Sequence, residues 1–251
     1  MRAGPCEATG RKGTVTITNR ILTVLVPEAR TFLMQHALTR PVSAGEVLYP
    51  ENTPFTHAIF PNRGIISLMG ERADGGYAEQ ASIGREGFLG VAVMLGRETT
   101  LSRPVVRVSG EVTYVPMFAM REASERFACF RHIMECYVQA FIAQLMETVL
   151  NARLDQTQAQ IADWLSLAHV RMAGASFGLT QGSLAEALGV RRITVTATLS
   201  MLKREGIVTY SRGFMTIKDP AQLARFGSEG HLRILEAFVW QDELVKMMKT
   251  S

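Results

Sequence analysis

The residues best suited to chemistry lie in a basic segment of the C-terminal third. Its hydroxyl, amide and guanidinium groups include those of Thr180, Gln181, Arg191, Arg192 and Arg212. Such groups contact DNA phosphates and base edges, and arginine pairs bidentately with guanine. The segment 160–218 holds seven basic and three acidic residues, which accounts for the net charge of +4 of the whole 251-residue chain. This concentration predicts a polyanionic partner, although a solvated basic face would give the same count.

Two short helices and a hairpin are predicted to position these side chains. The Thr180 hydroxyl can cap a helix over Gln181–Leu188, and Gly189 can make the turn that follows. A second helix is predicted from about Arg192 to Glu205. Its apolar side faces inward and consists of Val195, Leu199 and Leu202.

The opposite side of the second helix is small, polar and basic. It presents Arg192, Ile193, Thr196, Ala197 and Ser200, which leave room for a major groove. Beyond Gly206, two β-prone stretches flank a turn with Arg212 at its tip.

The stretch LGVRRITVTATLSMLKREGIVTYSRG, residues 188–213, resembles the winged helix-turn-helix of Crp/Fnr family transcription regulators. The resemblance extends more loosely over residues 25–220. It implies a homodimer on a pseudo-palindromic DNA operator, governed by a ligand or redox signal. RNA polymerase is a further expected partner if the protein is an activator.

The family's recognition helix often reads Ser-Arg-Glu-Thr-Val, and this chain departs from it. Arg192 matches the base-reading Arg, whereas Arg191 replaces the Ser and Ile193 the Glu. Ala197 stands where a second base-reading Arg often occurs, so the operator should differ from the family's best-known half-site. The predicted DNA-binding residues are Thr180, Gln181, Arg191, Arg192, Ile193, Thr194, Thr196, Ala197, Ser200, Lys203 and Arg212.

The region from about residue 40 to 117 alternates β-prone stretches with turn signals, which predicts a compact antiparallel barrel or jelly roll. The predicted strands are Val47–Tyr49, His57–Phe60, Ile65–Met69, Tyr77–Ile83, Val105–Val108 and Val112–Val115. A short helix is predicted before them, over Pro27–Leu38.

After Met117 the apolar period becomes helical, and a wide apolar stripe runs from Phe130 to Val149. With the resemblance it predicts a dimerisation helix; a core helix packed within one chain remains the alternative. The expected dimer contacts are Met134, Tyr137, Val138, Phe141, Leu145 and Val149.

Family members that bind cyclic AMP use a Glu for the ribose and an Arg-Ser pair for the phosphate. In the matching stretch Val91 follows Gly90 in place of the Glu, and Leu101 precedes Ser102 in place of the Arg. This effector pocket therefore lacks both charged anchors, and cAMP is not the expected ligand. No cofactor is predicted, and an unidentified small-molecule effector stays open.

The remaining chemistry-bearing residues show no site spacing. Cys6, Cys129 and Cys136 are too far apart for a metal or iron–sulfur cluster, and the five histidines are scattered, so no metal is predicted. Cys129 and Cys136 share a helical face and suit small buried hydrophobes better than a redox pair. A cupin-type enzyme needs clustered ligands, yet the barrel region offers only His57, so the protein is not expected to be an enzyme.

The sequence thus predicts an α+β protein: an N-terminal antiparallel β-roll or jelly-roll sensor domain, a long dimerisation helix, and a C-terminal winged helix-turn-helix domain with an extra C-terminal helix. The proposed divisions are an N-terminal mobile arm at 1–20, sensor 21–120, dimerisation helix 121–155, DNA-binding domain 156–220 and extension 221–251. In the extension, an amphipathic helix over His231–Lys249 is expected to pack on the DNA-binding domain, or else to modulate domain orientation. Its predicted apolar side carries Leu232, Leu235, Phe238, Val239 and Met248.

No signal sequence and no apolar run near the length of a membrane span is visible, so we expect a cytoplasmic protein with no membrane partner. A small-molecule receptor with a β-roll pocket and vestigial DNA binding is the alternative function.

Overall fold

A computed structural model describes residues 17–96, 98–154 and 156–244. Most of the predicted arm at 1–20 lies outside these residues, as do Cys6 and Met248. The helices are α1 (Arg20–Val24), α2 (Pro27–Gln35), α3 (Val91–Met94), α4 (Met117–Arg126), α5 (Ala128–Leu154), α6 (Thr157–Met172), α7 (Gln181–Leu188), α8 (Arg192–Arg204), α9 (Pro220–Phe226) and α10 (Gly230–Glu236). The strands are β1 (Leu38–Val42), β2 (His57–Glu71), β3 (Tyr77–Ile83), β4 (Arg103–Pro116), β5 (Ser176–Gly178), β6 (Val208–Ser211) and β7 (Phe214–Ile217).

An antiparallel sheet with strand order β1-β4-β2-β3 forms the N-terminal half, which confirms the predicted fold class. Two pairs of predicted strands are in fact single long strands, β2 and β4. Gly64 and Gly110, which separate the predicted strands of each pair, lie at irregularities of the β2–β4 pairing. A Cβ on Gly64, whose φ is +101°, would lie 2.7 Å from the Val108 carbonyl oxygen, so the two backbones approach there as only glycine permits.

Three local predictions in this half differ from the structure. Val47 forms only an isolated bridge, to Val105, and not a strand. Helix α2 ends at Gln35, three residues before the predicted end, because the chain must turn into strand β1 at Leu38. Helix α1 was not predicted; Asn19 caps it by accepting hydrogen bonds from the amides of Ile21 and Leu22.

The long helix α5 packs its predicted apolar stripe mainly against the N-terminal domain of its own chain. Met134, Tyr137 and Phe141, predicted as dimer contacts, are buried in the core of this chain and are not available to a partner in this arrangement. Val138 and Leu145 are half-buried, and Val149 is exposed. The side of α5 that faces solvent carries a different apolar row of Ile142, Met146, Val149 and Leu150.

Helix α5 also meets the length and composition criteria for a membrane span over Ala128–Arg153. About 33% of its most apolar window is buried, and a core helix passes the same test. A single helix of this kind is weak evidence for a membrane segment.

The C-terminal domain is built from α6 to α9 around a three-stranded antiparallel sheet of order β5-β7-β6. Strand β5 was not among the predicted strands. It pairs with β7 at three positions and therefore completes the sheet that carries the wing.

The C-terminal extension departs most from its prediction. Helix α10 ends at Glu236, and its buried side carries His231 and Ile234, followed by Phe238 and Gln241 beyond the helix. The predicted apolar residues Leu232 and Val239 are exposed. The extension packs on α5 and α6 and reaches the sensor core, where the Phe238 ring lies 6.2 Å from the Tyr137 ring. It therefore contacts both halves of the chain, and not the DNA-binding domain alone.

Candidate nucleic-acid interface

The start of α7 is fixed by its cap, as predicted. The Thr180 hydroxyl accepts a hydrogen bond from the Ser183 amide at 3.0 Å. Gly189 ends the helix in the left-handed region, with φ of +65°, where glycine carries no Cβ penalty. This turn sets the direction in which α8 leaves.

The inward side of α8 contains the three predicted residues Val195, Leu199 and Leu202, together with Thr198. Their burial fixes the rotation of the helix, so the opposite side must face solvent. The exposed residues at the start and along this side are Arg191, Arg192, Ile193, Thr196, Ala197 and Ser200. Thr194 is half-buried, and its carbonyl accepts a hydrogen bond from the Thr198 hydroxyl.

Ile193 is 75% exposed, an unusual position for an aliphatic side chain in a well-packed domain. It stands beside Arg192 at the N-terminal end of α8, where recognition helices contact base edges. An aliphatic side chain there can contact a thymine methyl group but cannot accept a hydrogen bond from cytosine.

Helices α7 and α8 are linked across this surface by Gln181 and Thr196. The Thr196 hydroxyl donates to the Gln181 side-chain oxygen at 2.7 Å. This bond uses the acceptor of the Gln181 side chain, whereas its NH₂ group is a donor. The bond therefore holds the Gln181 and Thr196 side chains in a fixed position relative to each other.

The wing places Arg212 at the tip of the β6–β7 hairpin, as predicted. Arg212 has φ of +48° and Gly213 has φ of +80°, the left-handed pair that a tight hairpin turn requires. The Arg212 side chain is exposed. Lys203 is exposed as well, near the C-terminal end of α8.

One of the seven basic residues in the segment 160–218 is not on the protein surface. Arg171 is only 3% exposed; its guanidinium lies 2.8 Å from the Glu86 carboxylate and donates to the Ser82 carbonyl. The exposed basic residues between 160 and 218 are Arg191, Arg192, Lys203, Arg204, Arg212 and Lys218. The positive surface is thus made by α8 and the wing.

Sequence reasoning missed the contacts that hold α7 against the sensor sheet. Arg107 on β4 donates to the Ser183 carbonyl at 3.0 Å and to the Glu186 carboxylate at 2.9 Å. Arg72 donates to the Gly189 carbonyl at 3.2 Å. The available signal in the sequence was Arg107 itself, within an apolar stretch of strand. A buried arginine there needs a polar partner from another part of the chain.

The predicted effector residues do not form a charged site. Gly90 starts the short helix α3, Val91 is half-buried, Leu101 is exposed and Ser102 is buried. Nearby, aromatic rings lie in the interior of the roll. The Phe60 and Phe88 rings stack 5.0 Å apart, and the Phe88 and Tyr137 rings lie 4.9 Å apart at a tilt.

Tyr137 closes this space by hydrogen bonding to the backbone of Phe88, accepting from its amide at 3.2 Å and donating to its carbonyl at 3.0 Å. Burial raises the pKa of Tyr137 well above its usual value and keeps the phenol protonated.

The cysteines and histidines of the described residues have separate surroundings. Cys129 and Cys136 are free thiols that are half-buried. Burial, with a smaller contribution from Glu135, raises the pKa of Cys136. His231 is buried and its Nδ1 lies 2.6 Å from the Asp163 carboxylate. No group of three or more His, Cys, Asp or Glu suited to a metal ion is present among the residues described.

The comparisons with known proteins agree with this architecture. Residues 159–226 match the model of the Crp-like helix-turn-helix domain. No curated protein sequence matches the chain.

Several solved structures share the fold over most of their length. FixK2 from Bradyrhizobium japonicum is 14% identical, with a TM-score of 0.65, covering 76% of this chain and 98% of that one. TTHB099, a CRP family regulator from Thermus thermophilus, is 16% identical, with a TM-score of 0.62 over 74% and 95%. The c-di-GMP responsive regulator CLP of Xanthomonas campestris is 11% identical, with a TM-score of 0.61 over 76% and 99%.

Identities this low show only a shared fold. The domain match identifies residues 159–226 alone. The chain shares the fold of solved Crp/Fnr-type transcriptional regulators, and residues 159–226 match the Crp-like helix-turn-helix domain.

Proposed function

We propose that this chain is a sequence-specific DNA-binding transcription regulator of Crp/Fnr type that acts in the cytoplasm as a homodimer. The observation that carries the proposal is the solvent-exposed side of α8, which is flanked by exposed arginines at its N-terminal end and at the wing tip. RNA polymerase is the further partner if the protein activates transcription.

Within the interface, Arg192 reads a base and Ile193 contacts a thymine methyl group. Thr180, Gln181, Lys203 and Arg212 bind phosphates and set the register of the protein on the duplex. Arg191, Thr194, Thr196, Ala197 and Ser200 complete the proposed surface.

The homodimer is proposed to form through the solvent-facing side of α5. Ile142, Met146, Val149 and Leu150 recur at helical spacing, and Met146 is 69% exposed. Burying such a row against a symmetry mate would remove several large apolar side chains from water. Of the residues first predicted for this interface, Val149 belongs to this row, with half-buried Val138 and Leu145 beside it.

The sensor domain is proposed to respond to a signal other than cAMP. Neither charged anchor for a cyclic nucleotide is present at Val91 or Leu101, and aromatic rings occupy the nearby interior.

The proposal is tested by selecting preferred sites from random duplex DNA and measuring affinity by fluorescence anisotropy at several salt concentrations. Arg192→Ala should lower the preference for the selected site by about 1–3 kcal/mol. Arg212→Ala should weaken binding to matched and scrambled DNA alike and reduce the salt slope by about 1. Arg30→Ala, which removes an exposed charge from α2, is the matched control and should change neither property.

The proposal fails if the protein binds no duplex in a salt-sensitive, sequence-selective way. If Arg192→Ala lowers affinity for matched and scrambled DNA equally, Arg192 is a phosphate contact and the base-reading role is wrong. The dimer is tested separately by analytical ultracentrifugation of Met146→Glu, which should shift the protein to monomer.

A further inference from the structure

A cavity of about 210 Å³ lies where both halves of the chain meet. It is lined by β3 of the sensor, by the long helices α5 and α6, by α7 of the helix-turn-helix and by α10 of the extension. An apolar cavity of about 150 Å³ accommodates benzene, so this space can hold one ring with a short substituent. It lies apart from the residues of the predicted effector pocket in the roll.

The cavity combines apolar walls with two carboxylates. The apolar walls come from Ala78, Trp164, Leu167, Ala187, Leu188 and Ile234. The carboxylates are those of Glu79 on β3 and Asp163 on α6. The lining also includes the polar residues Ser82, Gln144, Thr148, Asn151, Gln160 and His231. Apolar walls with convergent polar groups are the usual form of a small-molecule site.

Glu79 indicates which charge a ligand of this cavity would carry. Its carboxylate accepts hydrogen bonds from the Ser67 hydroxyl and, at 3.1 Å, from the Trp164 indole, which are both neutral donors. Within the described part of the chain, no basic side chain forms an ion pair with it. The nearest arginine along this network, Arg107, donates to the far side of Ser67 and pairs with Glu186.

The other buried carboxylates at this junction have partners of their own. Glu86 is paired with Arg171, and Asp163 is held by His231 and by the amide and hydroxyl of Ser228. Glu79 therefore remains as a half-buried negative charge beside an indole ring. The indole meets Glu79 through its N–H edge, and a carboxylate in such a partly apolar site is a favourable partner for an organic cation.

We propose that this cavity binds a small aryl-alkyl amine. The ammonium group lies against Glu79 and the Trp164 indole, and the ring fills the space between Leu167, Leu188 and Ile234. The sensor, α7 and the extension all contribute walls, so an occupied cavity stabilises the present arrangement of the two halves. Any effect of the amine on DNA binding rests on the proposed function. Binding of the amine to the cavity does not.

The experiment uses the full-length protein with Trp240→Phe, which leaves Trp164 as the single tryptophan because the chain has two. Phenethylamine is titrated while the Trp164 fluorescence is followed, with 2-phenylethanol and phenylacetate as neutral and anionic ligands of similar shape. We expect a saturable change with the amine and at least tenfold weaker binding of the other two.

Two variants locate the site. Glu79→Gln should weaken the amine at least tenfold, whereas Glu71→Gln, which neutralises an exposed carboxylate at the end of the neighbouring strand β2, should not. Glu79→Gln also alters a hydrogen bond to Trp164, so a second variant is needed. Ala152 is an exposed residue of α5 that lines the cavity, and the larger side chain of Ala152→Leu should block the amine by filling part of the space.

The site is overturned if the amine binds no better than the alcohol or the acid, or if it binds undiminished to Glu79→Gln or Ala152→Leu. Binding is measured without DNA, and operator binding is measured without amine. Failure of the cavity proposal therefore leaves the proposed DNA-binding function untouched, and the reverse also holds.

Discussion

Arg107 is a buried cation that joins the N-terminal sheet to helix α7, so its removal tests how the two parts are held together. Its side chain is 3% exposed. It donates to the Ser67 hydroxyl at 3.2 Å, to the Ser183 carbonyl at 3.0 Å and to the Glu186 carboxylate at 2.9 Å. Arg107→Ala removes these bonds, together with those to the Ser183 hydroxyl and the Met69 sulfur, and leaves the partner groups without this donor.

The magnitude follows from the surroundings of each partner. Hydrogen bonds to a charged group contribute about 1.5–3 kcal/mol when buried. Glu186 is half exposed, so its bond falls at or below the low end of that range. Loss of one partner of a fully buried ion pair costs about 3–5 kcal/mol. Because the Glu186 carboxylate that remains is half exposed, we expect a loss no larger than the low end of that range, about 3 kcal/mol. The matched control is Arg72→Ala, whose exposed side chain spans the same boundary and should cost about 1 kcal/mol or less.

The assay is urea denaturation followed by circular dichroism, with hydrogen exchange of α7 as the local measurement. Arg107→Ala should lower the free energy of unfolding and speed exchange of the α7 amides, whereas Arg72→Ala should leave both nearly unchanged. If the two variants behave alike, or if α7 keeps its full protection in Arg107→Ala, then Arg107 does not hold the helix-turn-helix against the sensor.

Three further predictions concern single groups. Burial by itself raises the pKa of Asp163, but hydrogen bonds from His231 and Ser228 outweigh it and bring the pKa below the usual 3.8. The resulting stability is present above that pH and is lost as pH falls through the folded pKa; unfolding curves of Asp163→Asn between pH 5 and pH 2 should lack this component. Thr180→Ala should cost about 1 kcal/mol in thermal denaturation, because the Ser183 amide loses its cap, while Thr209→Ala on the exposed wing should not. Cys136 should be alkylated by iodoacetamide more slowly than a free cysteine at pH 8, since its raised pKa leaves less thiolate; equal rates by mass spectrometry would contradict this.

The helix-turn-helix was predictable because its signals are local. A capping threonine, a glycine turn and apolar residues spaced three and four apart specify α7 and α8 within one stretch of chain. The strands were less predictable, since Gly64 and Gly110 lie at bulges inside long strands although glycine commonly marks turns.

The side of α5 that stays exposed could not be predicted from its composition. The apolar residues of this helix are spread around more than one side, and the packing of the roll and the extension decides which of them are buried. Tyr137 lies in the core because its ring packs against the Phe88 ring and its hydroxyl hydrogen bonds to the Phe88 backbone. Ile142 and Met146, which are equally apolar, stayed exposed.

The sequence by itself determined the local elements of the C-terminal domain and the positive charge of its recognition surface, since helix caps, turns and apolar periods act between near neighbours. Only the tertiary structure decided where long-range partners meet. It placed Arg171 in the core with Glu86, joined Arg107 to α7, and enclosed Glu79 and Trp164 in a cavity between the two halves. These contacts join residues up to 85 positions apart, a separation at which spacing along the chain carries no information about distance in space.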